Sequence, residues 1–219
     1  MENYFILLGL SFDPVESNEE VIKNAIEAKR EQWQKEAKKR GLDTETSVPL
    51  MIDQYINKSS IQMFTSTGVL SQSELLSRCE VKWENYSMKL QIESRVLGDL
   101  VINHILPAAK RYQTILLQNV QGVKQVFSAS EAEKLSEQDI LLIRSIENHT
   151  SAITAKVNNM NKERARANHI DNQRERAITF HDYVVPLMEE IRQHVDDLEM
   201  VIDDQLWPLP KYRELLFIH

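Results

Sequence analysis

The side chains able to do chemistry in this 219-residue sequence are five internal histidines, a single cysteine and a dense set of carboxylates. A carboxylate-bridged metal centre inside a helical protein needs Glu-x-x-His pairs, which put both ligands on one face a turn apart. The residues three positions before His104, His149, His169, His181 and His194 are Val101, Ile146, Arg166, Ile178 and Ile191. None is a carboxylate, so this spacing predicts no metal site, and His181 reads as a seam residue whose ring is satisfied by its neighbours. A phosphate cradle needs closely spaced glycines ahead of a helix. Gly9, Gly41, Gly68, Gly98 and Gly122 are far apart, which argues against a nucleotide loop. Nucleophilic catalysis by Cys79 requires a basic neighbour and exposure. Its place between Leu76 and Trp83 on an apolar stripe predicts a small buried hydrophobe instead. Glu93 and His104 stand three turns apart on that stripe and read as separate polar contacts to a partner. The sequence therefore predicts no catalytic, cofactor-binding or metal-ligating residue in this chain.

The elements carrying these residues are read as helices throughout. Ser17 with Glu20 forms a capping box that predicts a helix starting near Asn18, with a thin stripe of Val21, Ala25, Ala28 and Trp33 and a stop at Gly41. Residues 42–70 are broken by Pro49, Gly68 and many Ser and Thr, and read as a connector with one short helix around Lys58–Phe64. From Ser71, capped by Glu74, the residues Leu76, Cys79, Trp83, Tyr86, Leu90, Glu93, Leu97, Leu100 and His104 fall at alternating spacings of three and four, a coiled-coil-like seam. Pro107 predicts a kink, beyond which Ile105, Ala108, Tyr112, Ile115 and Asn119 continue the seam to about Phe127. After a break at Ser128–Glu131, a third stripe runs through Ile143, Ile146, Thr150, Ile153, Val157 and Met160. A fourth runs through Ile178, His181, Val185, Met188, Ile191, Val195, Leu198 and Ile202. Helices with narrow seams must pack on one another, so residues 71–219 are expected to form an all-α antiparallel bundle, with residues 1–41 as a helical N-terminal segment.

Charge and composition bound the partners. The chain holds 26 Lys+Arg against 33 Asp+Glu, a formal charge of −7, which disfavours nucleic acid. One cysteine cannot form an intramolecular disulfide, no basic stretch leads into a signal-peptide core, and no apolar run reaches the roughly 20 residues of a membrane span. The expectation is a cytoplasmic protein with no membrane partner. Charge is uneven along the chain: Lys162–Arg176 is basic and Glu189–Asp204 is strongly acidic, and both read as solvated helix faces, with complementary patches that dock one subunit on another as the alternative. The last stretch, Leu206-Trp207-Pro208-Leu209-Pro210-Lys211-Tyr212-Arg213-Glu214-Leu215-Leu216-Phe217-Ile218-His219, is too apolar for a free end and is expected to dock on the bundle or on a neighbour.

At this tail the sequence resembles a known family. Asp203-Asp204-Gln205-Leu206-Trp207-Pro208-Leu209-Pro210-Lys211-Tyr212-Arg213-Glu214-Leu215-Leu216-Phe217 is similar to the C-terminal signature of type III glutamine synthetases. Phe64-Thr65-Ser66-Thr67-Gly68-Val69-Leu70, Ile92-Glu93-Ser94-Arg95-Val96-Leu97-Gly98-Asp99 and Asn103-His104-Ile105-Leu106-Pro107-Ala108-Ala109-Lys110-Arg111-Tyr112-Gln113 agree in order. Together with Trp33–Gly41 the resemblance covers about residues 31–219. It implies a parent reaction of glutamine formation from glutamate, ammonia and ATP with divalent metal ions, in ring-shaped oligomers. The family's metal, phosphate and ammonium sites lie in a region upstream of the matched part, so the resemblance implies no ATP or metal site in this chain. It implies packing against a glutamine synthetase catalytic domain, or homo-oligomer contacts. Two other readings stand beside it: one half of a split synthetase, and a stand-alone helical adaptor. Residues 4–10 and 19–25 weakly resemble a J-domain-like opening, without the His-Pro-Asp tripeptide that chaperone recruitment needs.

Overall fold

The computed structural model describes residues 19–42, 44–211 and 214. The Ser17 side of the first capping box, residues 4–10 and most of the tail beyond Lys211 lie outside these described residues. The chain divides into two compact units between Ser47 and Val48.

The first unit contains α1, Glu19–Lys39. It ends as expected at Gly41, whose φ of +69° is the left-handed conformation open to glycine, and the Leu42 N–H donates to the Ala37 carbonyl at 2.9 Å. Ion pairs one turn apart, Glu31 with Lys35 and Glu36 with Arg40, support the helix along its surface. Val21, Ala28 and Trp33 of its thin stripe are exposed.

The second unit is all helical among its described residues. It opens with α2 (Val48–Asp53), a 3-10 turn (Gln54–Ile56) and α3 (Lys58–Ser66). The stretch read as a connector thus carries more structure than its Ser, Thr and Pro content suggests. Pro49 and Ile52 are buried. Asn57 caps α3 by accepting the Ser60 N–H at 2.7 Å. A short satellite core joins Ile52 to Cys79, Trp83 and Ala177, and the Trp83 indole N–H donates to the Pro49 carbonyl at 3.1 Å. This burial outweighs weak local helix propensity, so tertiary contact orders a segment that the sequence alone does not mark.

The main bundle follows. Helix α4 (Gln72–Leu100) starts at a complete Ser71–Glu74 capping box. It runs through a π-helical turn (Val101–Ile105) directly into α5 (Leu106–Val126). A tight turn at Phe127–Ser128, with a second capping box from Ser128 to Glu131, reverses the chain into the 40-residue α6 (Ala129–Asn168). Another turn at His169–Asn172 leads to α7 (Gln173–Thr179), a second π-helical turn (Phe180–Val184) and α8 (Val185–Val201). Short turns make the neighbours antiparallel, and the core runs through Val101, Ile105, Ile146, Ile153, Met160, Phe180, Val184, Ile191 and Leu198.

Both π turns precede a proline. Leu106 N–H bonds the Val101 carbonyl and Val185 N–H bonds the Phe180 carbonyl, five residues back in each case, just ahead of Pro107 and Pro186. A proline ring crowds the carbonyl four residues before it, and a widened turn relieves that clash without ending the helix. The kink expected at Pro107 is therefore a π turn.

The buried seams on α4 and around the second π turn differ from the expected ones by one residue at several positions. On α4 the difference arises before the π turn, where Leu75, Cys79, Trp83 and Ser87 are buried at spacings of four in place of alternating three and four. Leu76, Glu93 and His104 are exposed and Leu97 and Leu100 half-buried, while Leu75, Ser94, Gly98, Val101 and Ile105 are buried. Past Pro107, Leu116 and Val120 are buried in place of Ile115 and Asn119. Before Pro186 the buried set is Ala177, Phe180 and Val184 rather than Ile178, His181 and Val185. On α6 the expected stripe holds, with Ile146, Thr150, Ile153, Val157 and Met160 all buried.

Candidate functional site

The residues singled out for chemistry separate in the structure. Cys79 is fully buried, its thiol pointing to the Ile52 carbonyl at 3.8 Å, and burial pushes its pKa up. It is a packed hydrophobe, as its seam position predicts. His181 is half-buried and its Nδ1 lies 2.8 Å from the Asp182 carboxylate, a satisfied ring. Glu93 and His104 face solvent.

Two histidines that no spacing rule connects do meet. His149 on α6 and His194 on α8 bring their Nδ1 atoms to 3.1 Å, with rings 5.3 Å apart at 69°. Asp197, one turn after His194 on the same face of α8, places a carboxylate oxygen 3.7 Å from His149 Nδ1. Lys156 and Glu190 form an ion pair between the same two helices, one to two turns away. The His194 pKa is lowered, first by burial, then by His149 and Lys156, against the opposing pull of Asp197 and Glu190. Two imidazole nitrogens and a carboxylate oxygen thus converge within 4.8 Å of one another. No i, i+3 spacing reveals this pair, because 45 residues separate the two histidines and they meet only between helices.

A second polar feature is a groove of about 490 Å³ lined by Arg95, Asp99, Asn103, Asn161 and Arg164. Burial and the neighbouring Arg95 both lower the Arg164 pKa. The Asp99 carboxylate, held by Asn103 Nδ2 at 2.6 Å, lies in the same groove and offsets the two cations.

The third feature is apolar. The pairs His149–His194 and Lys156–Glu190 mark which residues of α6 and α8 lie opposite one another, and by that register Val201, the end of α8, is level with about Ile143. Nearly four turns of α6 extend past that point with α5 as their helical neighbour. The two are tied by the Asn119–Asp139 side-chain hydrogen bond and by buried Val120, Ala132 and Ser136. On this two-helix arm Val126 is 76% exposed and Leu135 58%, with Phe127 and Leu141 also open. On α4, Val81, Met88, Ile92 and Val96 form a further exposed line, spaced seven, four and four residues apart and opposite buried Cys79, Trp83 and Leu90. The tail, by contrast, docks where it is described: Trp207 is buried, Leu206 and Leu209 pack on the core, and Lys211 ties to Asp204 and to the Glu199 carbonyl.

The basic and acidic stretches are only partly solvated. Arg174 pairs with Asp53, and Arg166 stacks its guanidinium 4.2 Å from the Tyr183 ring centre. From the acidic stretch, Glu190 and Asp204 face lysines. No helix among the described residues is long and apolar enough to cross a membrane.

Comparison with known proteins places these features in a family. Residues 15–124 match the family model of the glutamine synthetase C-terminal domain. The match begins upstream of residue 31 and takes in α1 with residues 19–25, the second half of the J-domain-like resemblance, while residues 4–10 lie outside it. A glutamine synthetase of Bacteroides fragilis (strain YCH46) is 46% identical over 187 residues, 85% of this chain and 26% of that protein. A type-3 glutamine synthetase of Dictyostelium discoideum is 28% identical over 196 residues, 85% of this chain and 25% of that protein. A glutamine synthetase of Butyrivibrio fibrisolvens is 24% identical over 187 residues. The chain spans about a quarter of the length of these relatives.

Proposed function

Because the chain belongs to the glutamine synthetase C-terminal domain family, we propose that it serves as a non-catalytic packing and assembly domain of a cytoplasmic glutamine synthetase. The observation that supports this most directly is the α5–α6 arm. Two helices side by side bury too little to explain why Val126, Phe127, Leu135 and Leu141 stay apolar in water, whereas a subunit or catalytic portion laid against them would cover all four. The apolar line Val81, Met88, Ile92 and Val96 offers a second face of the same kind. The reaction named by the relatives, with its ATP and metal ions, would belong to the catalytic portion that this chain packs against.

The test is to purify the chain and mix it with a glutamine synthetase from which the region aligned with this chain has been removed. Light scattering after size exclusion is expected to show a stable complex or a defined oligomer, and Leu135→Glu with Leu141→Glu is expected to abolish it without loss of helical content. A chain that remains monomeric and forms no complex would overturn the assembly role. ATP-dependent glutamine formation that appears only on mixing would extend the role to completing a split enzyme. Glutamine formation by the chain alone would overturn its non-catalytic character.

A further inference from the structure

We propose that His149, His194 and Asp197 form a binding site for a single divalent transition-metal ion of the zinc class, bridging α6 and α8. Tetrahedral coordination with metal–ligand distances of about 2.0–2.2 Å places neighbouring donor atoms roughly 3.3–3.5 Å apart. The two Nδ1 atoms stand at 3.1 Å and the His149 Nδ1 to Asp197 oxygen distance is 3.7 Å, so small side-chain adjustments bring the donors to an ion between them. The donor set selects the metal class. Two imidazoles with one carboxylate suit Zn²⁺, Co²⁺ or Ni²⁺, while Mg²⁺ and Ca²⁺ favour oxygen ligands.

The supporting scaffold is rigid where it needs to be. His149 sits between buried Ile146 and Ile153 on α6, and His194 beside buried Ile191, Val195 and Leu198 on α8, so core packing sets how far apart the two rings stand. His194 and Asp197 project from one face because they are three residues apart on a helix. Lys156, whose charge acts on His194, is paired with Glu190. Asp197 is about half exposed, leaving the fourth position open to water and giving the ion a way in from solvent. Three protein ligands and one open position are the pattern of an accessible rather than a closed structural site. The site lies on the helical bundle of this chain and does not depend on the assembly role.

The experiment uses the full-length, tag-free chain stripped with a chelator and titrated with zinc chloride by calorimetry, then with cobalt chloride in the visible spectrum. Expected are one saturable equivalent of Zn²⁺, Co²⁺ bands of the intensity typical of four-coordination, and a melting temperature that climbs with zinc concentration. His149→Ala and His194→Ala should each weaken binding by more than the roughly 10–100-fold that loss of an outer-sphere partner costs. Asp197→Asn should weaken it and alter the cobalt spectrum, while His169→Ala, at the exposed far end of α6, should change nothing. Circular dichroism of each variant separates a lost site from a lost fold. Absence of saturable binding by the tag-free chain would overturn the proposal. So would binding that survives in the folded His149→Ala/His194→Ala double variant, and in either case the two rings would form a hydrogen-bonded imidazole pair.

Discussion

Arg174 grips Asp53 across 121 residues of sequence, its Nε 2.8 Å from one carboxylate oxygen and its Nη2 2.6 Å from the other. This fork ties the start of α7 to the end of α2, beside the satellite core of Ile52, Cys79, Trp83 and Ala177. Hydrogen bonding to Asp53 is the main reason the Arg174 pKa is raised. The pair is part-exposed, with side-chain exposures of 41% and 26%, so solvent screens it and its worth is that of a good surface pair, about 1 kcal/mol. Arg174→Ala and Asp53→Ala should each lower stability by about that amount in urea unfolding. A double-mutant cycle should return most of it as coupling, and Arg174→Lys should recover only part because lysine has no fork. Zero coupling would mean that α2 is held by its apolar contacts alone.

Gly98 lies on the buried face of α4 against α6. A Cβ added there would sit 3.5 Å from the Met160 methyl and 3.9 Å from Val157, ordinary contact distances. Gly98→Ala removes backbone freedom from the unfolded chain and should stabilise the protein by about 0.5–1 kcal/mol. Gly98→Leu would push further carbons towards Met160 and Val157 and should destabilise by about 1–3 kcal/mol. Thermal melts of both variants check the sign; destabilisation by alanine would place α4 closer to α6 than described.

The Ser71–Glu74 capping box makes acid stability depend on one carboxylate. The Ser71 backbone N–H, and after it the Ser71 hydroxyl, donate to Glu74 at 2.8 and 2.7 Å and hold its pKa below the ordinary carboxylate value. A pKa lowered on folding adds stability that is present above the unfolded-state pKa and disappears as pH falls through the folded-state one. Glutamine can occupy the same capping position, so Glu74→Gln should be close to wild type at neutral pH and show a shallower loss of stability on acidification. Denaturation midpoints measured from neutral pH downwards give the comparison. Parallel curves for the two proteins would remove the linkage.

Cys79 should behave as a reporter of the satellite core. Its thiol is fully buried and its pKa is raised by that burial, with Lys82 only partly opposing it. A thiol reagent should label it at once in denaturant and hardly at all in the native protein. Fast labelling under native conditions would show that α2 opens away from α4 without global unfolding, a local event that the Arg174→Ala variant should accelerate.

Much of the fold was legible because its signals are local. Ser71 with Glu74, Ser128 with Glu131 and Gly41 mark helix ends through hydrogen bonds and backbone angles a few residues away, and the structure places the ends there. The stripe from Ile146 to Met160 was legible for the same reason, since α6 runs without a break and its period never slips. The tail motif around Trp207 pointed to the family directly, and docking of Leu206, Trp207 and Leu209 followed from its apolar character.

The tertiary structure decided what depends on two distant segments at once. Pro107 announced a disturbance, but a π turn and a simple kink look alike in sequence, and the second π turn ahead of Pro186 fell inside a stripe read as continuous. Packing against the facing helices, rather than local spacing, left Leu76 and His104 exposed and buried Ser94, Gly98 and Val184. Helix α2 formed because Pro49 and Ile52 found Trp83 and Cys79 some thirty residues on, not because its own residues favour a helix. The meeting of His149, His194 and Asp197 arose in the same way. The antiparallel register of α6 on α8 is set by the packing of Ile146, Ile153, Ile191 and Leu198, and only once that core closes do donors 45 residues apart come within reach of one ion.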